Sequence, residues 1–328
     1  MTPKKGPAPR PGIMDIAPYV GGESGLEGAA RVIKLSSNEN AFGPSPKAIE
    51  AYTRLAPELH RYPDGGATGL RRALAKAWGL DAERIVCGAG SDELIALITR
   101  AYLGPGDEAL YSEHEFLMYP IATMSAGATP VKVPETDLTA SVDALLAAVT
   151  AKTKIVFVAN PNNPTGTYVP AAEMRRLRDA LPAGVLLVID AAYAEFVTRP
   201  DYASGAELVE ADGAVVMLRT FSKIYGLGGI RLGWGYCPAA VADVLNRVRG
   251  PFNVNIAAQK AAVAALADQA FVEHVVAHNT TWRAWLTAEI RKLSNRGIRV
   301  DDSVGNFLLV HFADAKRAQD ADRFLMSR

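Results

Sequence analysis

A chain of 328 residues, 49% hydrophobic and 21% charged, is long enough to bury one large core and a smaller unit beside it. Its 35 basic residues balance 35 acidic ones, so no charge-driven attraction to nucleic acid or to a membrane surface is expected. No apolar run is long enough to span a bilayer. The two cysteines, Cys87 and Cys237, have no metal-type spacing and read as buried free thiols, in keeping with a cytoplasmic protein.

In chain order, residues 1–11 are basic and proline-rich, lack the apolar stretch of a signal peptide and read as a loose arm. From about residue 70 to 237, short apolar runs alternate with helix-like segments. The runs 84–87, 108–111, 154–159, 185–190 and 214–218 are apolar along their whole length, as strands covered on both faces must be. Helical stretches are expected at 92–102, 141–149 and 171–180. This alternation predicts an α/β fold with a mostly parallel central sheet flanked by helices. After Gly250-Pro251 the pattern changes: 256 to about 293 reads as helix and 305–310 as a strand, which suggests a smaller α+β domain. The expected division is an N-terminal arm with part of the small domain (1–46), a large domain (47–250) and a small C-terminal domain (251–328).

The chemically suggestive residues follow strand ends, where ligands bind in open α/β sheets. Lys223 sits in Arg219-Thr220-Phe221-Ser222-Lys223-Ile224-Tyr225-Gly226-Leu227, with Arg231 eight residues on. Asp190 and Tyr193 come earlier, and Asn163-Pro164-Thr165-Gly166 before them. In this order they supply the groups that hold pyridoxal phosphate. One amine forms the Schiff base, one carboxylate meets the pyridine nitrogen, two groups reach the ring oxygen, and one guanidinium pairs with the phosphate. Once freed by a substrate amine, Lys223 can shuttle a proton. An isolated lysine of this kind would be a solvated surface residue; the surrounding constellation argues otherwise.

Asp190 closes an apolar strand, where a charge needs a partner or else caps the following turn. Gly88-Ala89-Gly90-Ser91-Asp92 opens a helix directly after a strand, so its backbone amides form a phosphate cup that Ser222 and Arg231 would complete. It is neither a dinucleotide fingerprint nor a P-loop. Phe116 is a candidate to stack on the pyridine ring, or an ordinary core aromatic. His274 and His278 share a helix face at ligand spacing but lack a third ligand, and read as solvated. No Gly-x-Ser-x-Gly elbow is present.

Ser36-Ser37-Asn38-Glu39-Asn40, Arg61-Tyr62-Pro63-Asp64-Gly65, Asn160 to Gly166, Asp190-Ala191-Ala192-Tyr193 and Ser222-Lys223 to Arg231 together resemble the histidinol-phosphate aminotransferases. These are fold-type-I pyridoxal-phosphate enzymes, and the resemblance runs from about Pro11 to the end. It implies a homodimer with sites at the subunit interface, where Tyr62 reaches the partner's cofactor phosphate. It also places Tyr19 and Asn40 at the substrate. The implied reaction is reversible amino transfer between L-histidinol phosphate and 2-oxoglutarate, in histidine biosynthesis, with aromatic amino acids as further substrates.

Two departures qualify the expectation. Gly21-Gly22 stands where some members carry a phosphate-binding arginine after the tyrosine matched by Tyr19. Family members also continue past a helix into a strand whose arginine clamps the α-carboxylate, and none of Arg317, Arg323 or Arg328 stands in a matching context. A shortened chain is therefore expected to have an open small-domain sheet edge, to bind cofactor and to turn over glutamate poorly. Two alternatives share the residues: decarboxylation of a phosphorylated amino acid, and a non-catalytic pyridoxal-phosphate-binding domain. The latter is disfavoured by neutral charge and by the absence of a DNA-binding module.

Overall fold

The computed structural model describes residues 7–22, 32–211 and 213–327. Of the N-terminal arm, residues 1–6 lie outside these, and so does Arg328; residues 7–12 are exposed and outside any helix or strand.

Among the described residues the strands are β1 (Ile85–Gly88), β2 (Glu108–Ser112), β3 (Thr129–Val133), β4 (Glu135–Thr136), β5 (Thr139–Ala140), β6 (Thr153–Ala159), β7 (Leu186–Asp190), β8 (Val215–Thr220), β9 (Gly233–Tyr236), β10 (Arg299–Val300) and β11 (Val310–His311). The helices are α1 (Pro46–Arg54), α2 (Thr68–Trp78), α3 (Ser91–Tyr102), α4 (Met118–Ser125), α5 (Val142–Ala148), α6 (Ala171–Ala180), α7 (Ala206–Ala211), α8 (Ala239–Val248), α9 (Ile256–Leu266), α10 (Gln269–Arg291) and α11 (Ala315–Met326).

Seven strands form the central sheet in the order β1-β9-β8-β7-β6-β2-β3. The pairs from β8 through β7, β6 and β2 to β3 are parallel, whereas β9 runs antiparallel between β1 and β8. Every residue of β7 and β8 is buried, so alternate side chains feed two separate cores. On one face Val86, Ile155, Phe157, Val188 and Val216 pack with α3, α4 and α8. On the other, Ile85, Val156, Val158, Leu187 and Met217 pack with α2, α6 and α9. Cys87 and Cys237 are buried free thiols, both pushed up to about 12 by burial.

The five expected strands and three early helices are present to within two residues at each end. β9 was missed because Gly233-Trp234-Gly235-Tyr236 lacks a run of β-branched residues. The glycine there is a steric requirement: a Cβ on Gly233 would lie 2.3 Å from the Ser91 amide nitrogen, at the start of α3.

Beyond Gly250 two expectations change. The single helix over 256–293 is two, broken at Ala267-Asp268, where Asp268 pairs with Lys47 at 3.2 Å. The capping side chain of Asn255 accepts from the Ala258 amide at 2.8 Å and fixes the start of α9, which packs on α1 and α2. The strand over 305–310 shrinks to β11, paired antiparallel with β10. Residues 306 and 307 instead pack on distant segments: Phe307 meets the Tyr193 ring edge-on at 5.0 Å, and Asn306 donates to the Asn38 carbonyl at 3.2 Å. His274 is exposed and His278 partly so, and the Phe42 ring packs 4.6 Å from each. No helix among the described residues is long and apolar enough to cross a membrane.

Candidate active site

The carboxyl ends of β6, β7 and β8 open into a cavity of about 410 Å³. The loops after these strands and the start of α3 line it, so residues scattered between positions 19 and 231 converge. Ser91, Asp92, Phe116, Asn163, Asp190, Tyr193, Ser222, Lys223, Arg231 and Tyr19 all contribute to its wall.

Asp190 is the last residue of β7 and is 5% exposed. Its Oδ2 accepts from the Tyr119 hydroxyl at 3.0 Å and its Oδ1 from the Ala192 amide at 3.2 Å. Burial pushes its carboxyl up to about 6; the two donors and Lys223 act against that rise.

Tyr193, three residues on, is buried, and burial raises its phenol well above the ordinary range. Its hydroxyl accepts from Asn38 Nδ2 at 3.0 Å and from Asn163 Nδ2 at 3.2 Å. With both donors supplied by amides, the Tyr193 proton stays free to be given to a ligand oxygen. The Asn160-Pro161 and Asn163-Pro164 peptides that shape this wall are cis.

Lys223 is half-buried with Nζ 5.4 Å from the centre of the Tyr193 ring. Burial lowers its pKa, with Arg231 adding to the effect and Asp92, Asp190 and Glu39 opposing it. The segment that carries it is anchored by Arg219, whose buried guanidinium pairs with Glu195 at 2.8 Å and lies over Trp78 at 4.4 Å. Ser222 is held by its amide donating to Thr220 Oγ1 at 3.1 Å.

At the opposite end, Arg231 Nη2 pairs with Asp92 Oδ2 at 2.9 Å and Nη1 donates to the Gly228 carbonyl at 3.0 Å. Gly90 lies just behind the cavity wall. A Cβ there would come 2.6 Å from Arg231 Nη2, and its φ of +90° is one that side chains rarely allow. The bare backbone is what lets the arginine lie against the start of α3.

Two expected residues stand elsewhere. Asn40 does not line this cavity: its Nδ2 donates to the Ile224 carbonyl at 2.7 Å and its Oδ1 accepts from the Phe42 amide at 2.9 Å. It braces the turn after Lys223 and borders a separate cavity of about 230 Å³. Tyr62 is 82% exposed, away from the cavity, and stacks on Phe252 at 4.9 Å. Arg317 pairs with Asp314, which caps α11, and Arg323 with Asp320 within that helix.

Sequence reasoning missed Tyr119, Asn38 and Thr220 as wall residues. Tyr119 had a signal: it follows Phe116 by three residues at the start of a helix, which puts the two rings on one side.

The aminotransferase class I and II family matches residues 30–327. The histidinol-phosphate aminotransferase of Paramagnetospirillum magneticum is 63% identical over 98% of this chain and 88% of its own length. That of Rhodospirillum centenum is 58% identical over 98% and 89%. Among solved structures, the histidinol-phosphate aminotransferase of Sinorhizobium meliloti, in complex with pyridoxal 5'-phosphate, superposes with a TM-score of 0.83. It shares 30% identity, over 89% of this chain and 79% of its own. A fold-type-I sheet with these relatives places the chain in the aminotransferase class I and II family, among the histidinol-phosphate aminotransferases.

Proposed function

We infer that the chain is a pyridoxal-phosphate-dependent aminotransferase that moves the amino group of L-histidinol phosphate to 2-oxoglutarate, in histidine biosynthesis. The observation that carries this reading is the Lys223 amine and the Asp190 carboxylate in one cavity, with the Tyr193 hydroxyl and the Arg231 guanidinium beside them.

The residues fit the cofactor. A buried carboxylate suits a pyridine N–H, a free phenolic proton suits the ring oxygen, and a guanidinium against a helix N-terminus suits a phosphate. When bound, the cofactor supplies an electron sink for the negative charge left at an amino acid's α-carbon.

Each side chain then has a task. Asp190 holds a proton on the ring nitrogen. Burial favours the neutral Lys223 amine, which can take the proton from the substrate α-carbon. Tyr193 and Asn163 would hold the ring oxygen, Phe116 would stack on the ring, and Ser91, Asp92, Ser222, Arg231 and the Gly90 backbone would make the phosphate end. Tyr19, at the cavity wall and 57% exposed, would meet the substrate there.

The finer parts of the reading go with it. A homodimer is supported by the exposed Tyr62, free to reach a partner's phosphate site. The division at 46 and 250, a cytoplasmic location and aromatic amino acids as secondary donors belong to the same proposal.

The test is the visible absorbance of protein purified with pyridoxal phosphate. A band is expected that is absent from Lys223→Ala, and that L-histidinol phosphate bleaches at lower concentration than L-phenylalanine. Turnover of Lys223→Ala is expected to fall on the order of 10⁴-fold. No band in the unaltered protein would overturn the cofactor assignment. A band that no amine changes would overturn transfer while leaving binding.

A further inference from the structure

We propose that Tyr119 is a positioning residue of this site: its hydroxyl, donated inside the core to the Asp190 carboxylate, aims that carboxylate at the ring nitrogen and stabilises its charge. The proposal rests on the reading that Asp190 faces the pyridine nitrogen.

Tyr119 lies in α4 with none of its surface exposed. Its ring is stacked on Phe157 of β6, centroids 4.7 Å apart and planes within 3° of parallel, and it meets Phe116 edge-on at 5.9 Å. Clamped on both sides, the ring has one direction in which to present its O–H, and that direction ends on Asp190 Oδ2 at 3.0 Å. A buried phenol that finds no acceptor is costly, and an anion is the strongest acceptor available to it.

The bond also settles what Asp190 has left to offer. Oδ1 is used once by the Ala192 amide and Oδ2 once by Tyr119. An ionised carboxylate has about four acceptor positions, so one remains on each oxygen for a ligand N–H. A carboxylate fixed at two points cannot rotate away when the ring enters, and this pre-organisation is where a buried donor acts on rate rather than on binding.

The charged and titratable groups around Asp190 make the donor matter. Asp92 on α3 opposes its charge and Lys223 favours it, while the charge of Asp190 in turn helps keep Glu115, in the loop before α4, protonated; Tyr193 and Tyr202 lie close as neutral phenols. Among the described residues Tyr119 is thus the neutral side chain hydrogen-bonded to Asp190 that helps it carry a charge in the core.

Tyr119→Phe removes one oxygen and keeps both ring contacts. The experiment loads the enzyme with ¹⁵N-labelled pyridoxal phosphate, follows the ring-nitrogen resonance, and measures kcat and KM at saturating cofactor. Under the proposal the resonance moves toward that of unprotonated pyridine. At the same time kcat falls about tenfold with KM within about twofold, the scale of one hydrogen bond to a charge. Tyr119→His, which keeps a donor, restores part of both.

A wild-type resonance and kcat in Tyr119→Phe would overturn the proposal. So would a lowered melting temperature with an unmoved resonance, which marks a role in packing alone. A Tyr119→Phe that does not fold moves the test to Tyr119→His, whose differently placed donor shifts the resonance part of the way toward unprotonated pyridine under the proposal and leaves it at the wild-type position otherwise. Asp190→Asn separates the two levels. If it leaves the resonance unmoved, the ring-nitrogen reading fails; if it moves the resonance and Tyr119→Phe does not, only the role of Tyr119 fails.

Discussion

The two ends of the cavity are built on opposite principles. At the Asp190 end the charge is 5% exposed, held by a buried phenol and a backbone amide, with Phe157 behind the phenol. At the Arg231 end a guanidinium and the Asp92 carboxylate face each other with half of each side chain in solvent. Charges in a dry setting interact strongly, and their geometry must be right before a ligand arrives. Charges in water are screened and can rearrange. The closed end is therefore suited to controlling the cofactor's electronics, and the open end to capturing its phosphate.

The largest effect is expected at the closed end. Asp190→Asn keeps the shape and an acceptor for Tyr119 but removes the negative charge that holds a proton on the ring nitrogen. We expect kcat to fall on the order of 10³-fold, while cofactor affinity falls less than about tenfold because the open end still holds the phosphate. Steady-state kinetics with a fluorescence titration of the cofactor give both numbers. The reverse pattern, lost affinity with an intact rate, would break the division of labour between the ends.

A second buried carboxyl sharpens the same contrast. Glu115, between β2 and α4, accepts from the Ser112 amide and the Ala159 amide at 3.0 Å each. Burial pushes it up to about 8 from an ordinary 4.5, with Glu135 and Asp190 adding to the rise against those two bonds. The folded carboxyl thus keeps its proton where the unfolded one has lost it. The unfolded state binds fewer protons in this window, so stability falls as pH rises from about 4.5 toward 8. Asp190, raised to about 6 without cofactor, shares the lower part of that window. Between pH 6 and 8 the cofactor-free protein should lose on the order of 1–3 kcal/mol to Glu115. Urea unfolding of Glu115→Gln should show a flatter pH slope there, whatever its absolute stability. Parallel slopes for the two proteins would remove Glu115 from the account.

How much of this was legible in the sequence follows from the same physics. The all-apolar runs of β6, β7 and β8 announce a doubly covered sheet, and Asp190 and Lys223 stand out as charges placed just after such runs. What stayed hidden depends on contacts between distant segments. Tyr119 meets Asp190 across 71 positions, and Asn38 meets Tyr193 across 155. β9 carries a tertiary signal, the close approach of Ser91 to Gly233, in residues that locally resemble a turn. Asn40 shows the same limit: the resemblance gives it a substrate contact, while the folded chain has its amide on the Ile224 carbonyl and its side chain at the neighbouring cavity. Periodicity reports which faces are buried, but only the folded chain reports which polar groups find each other.

The smallest effect is expected at the open end, and its size is the point. Arg231 pairs with Asp92 at 2.9 Å, and about half of each side chain is exposed. Such a pair is worth about 0.2–1 kcal/mol. An incoming phosphate competes with Asp92 for the guanidinium and is repelled by its charge. Asp92→Asn keeps the side-chain size at the start of α3 and removes that competition. The loss of a favourable interaction with the helix dipole is common to the free and loaded protein and largely cancels. Cofactor affinity should therefore tighten by about two- to fivefold at low salt. The difference should vanish near 1 M salt, where the screening length is about 3 Å. A weakening beyond fivefold, persisting in high salt, would mean that Asp92 aims Arg231 as Tyr119 aims Asp190. The open end would then be pre-organised like the closed one, and solvent exposure would not be what separates capture from chemistry in this cavity.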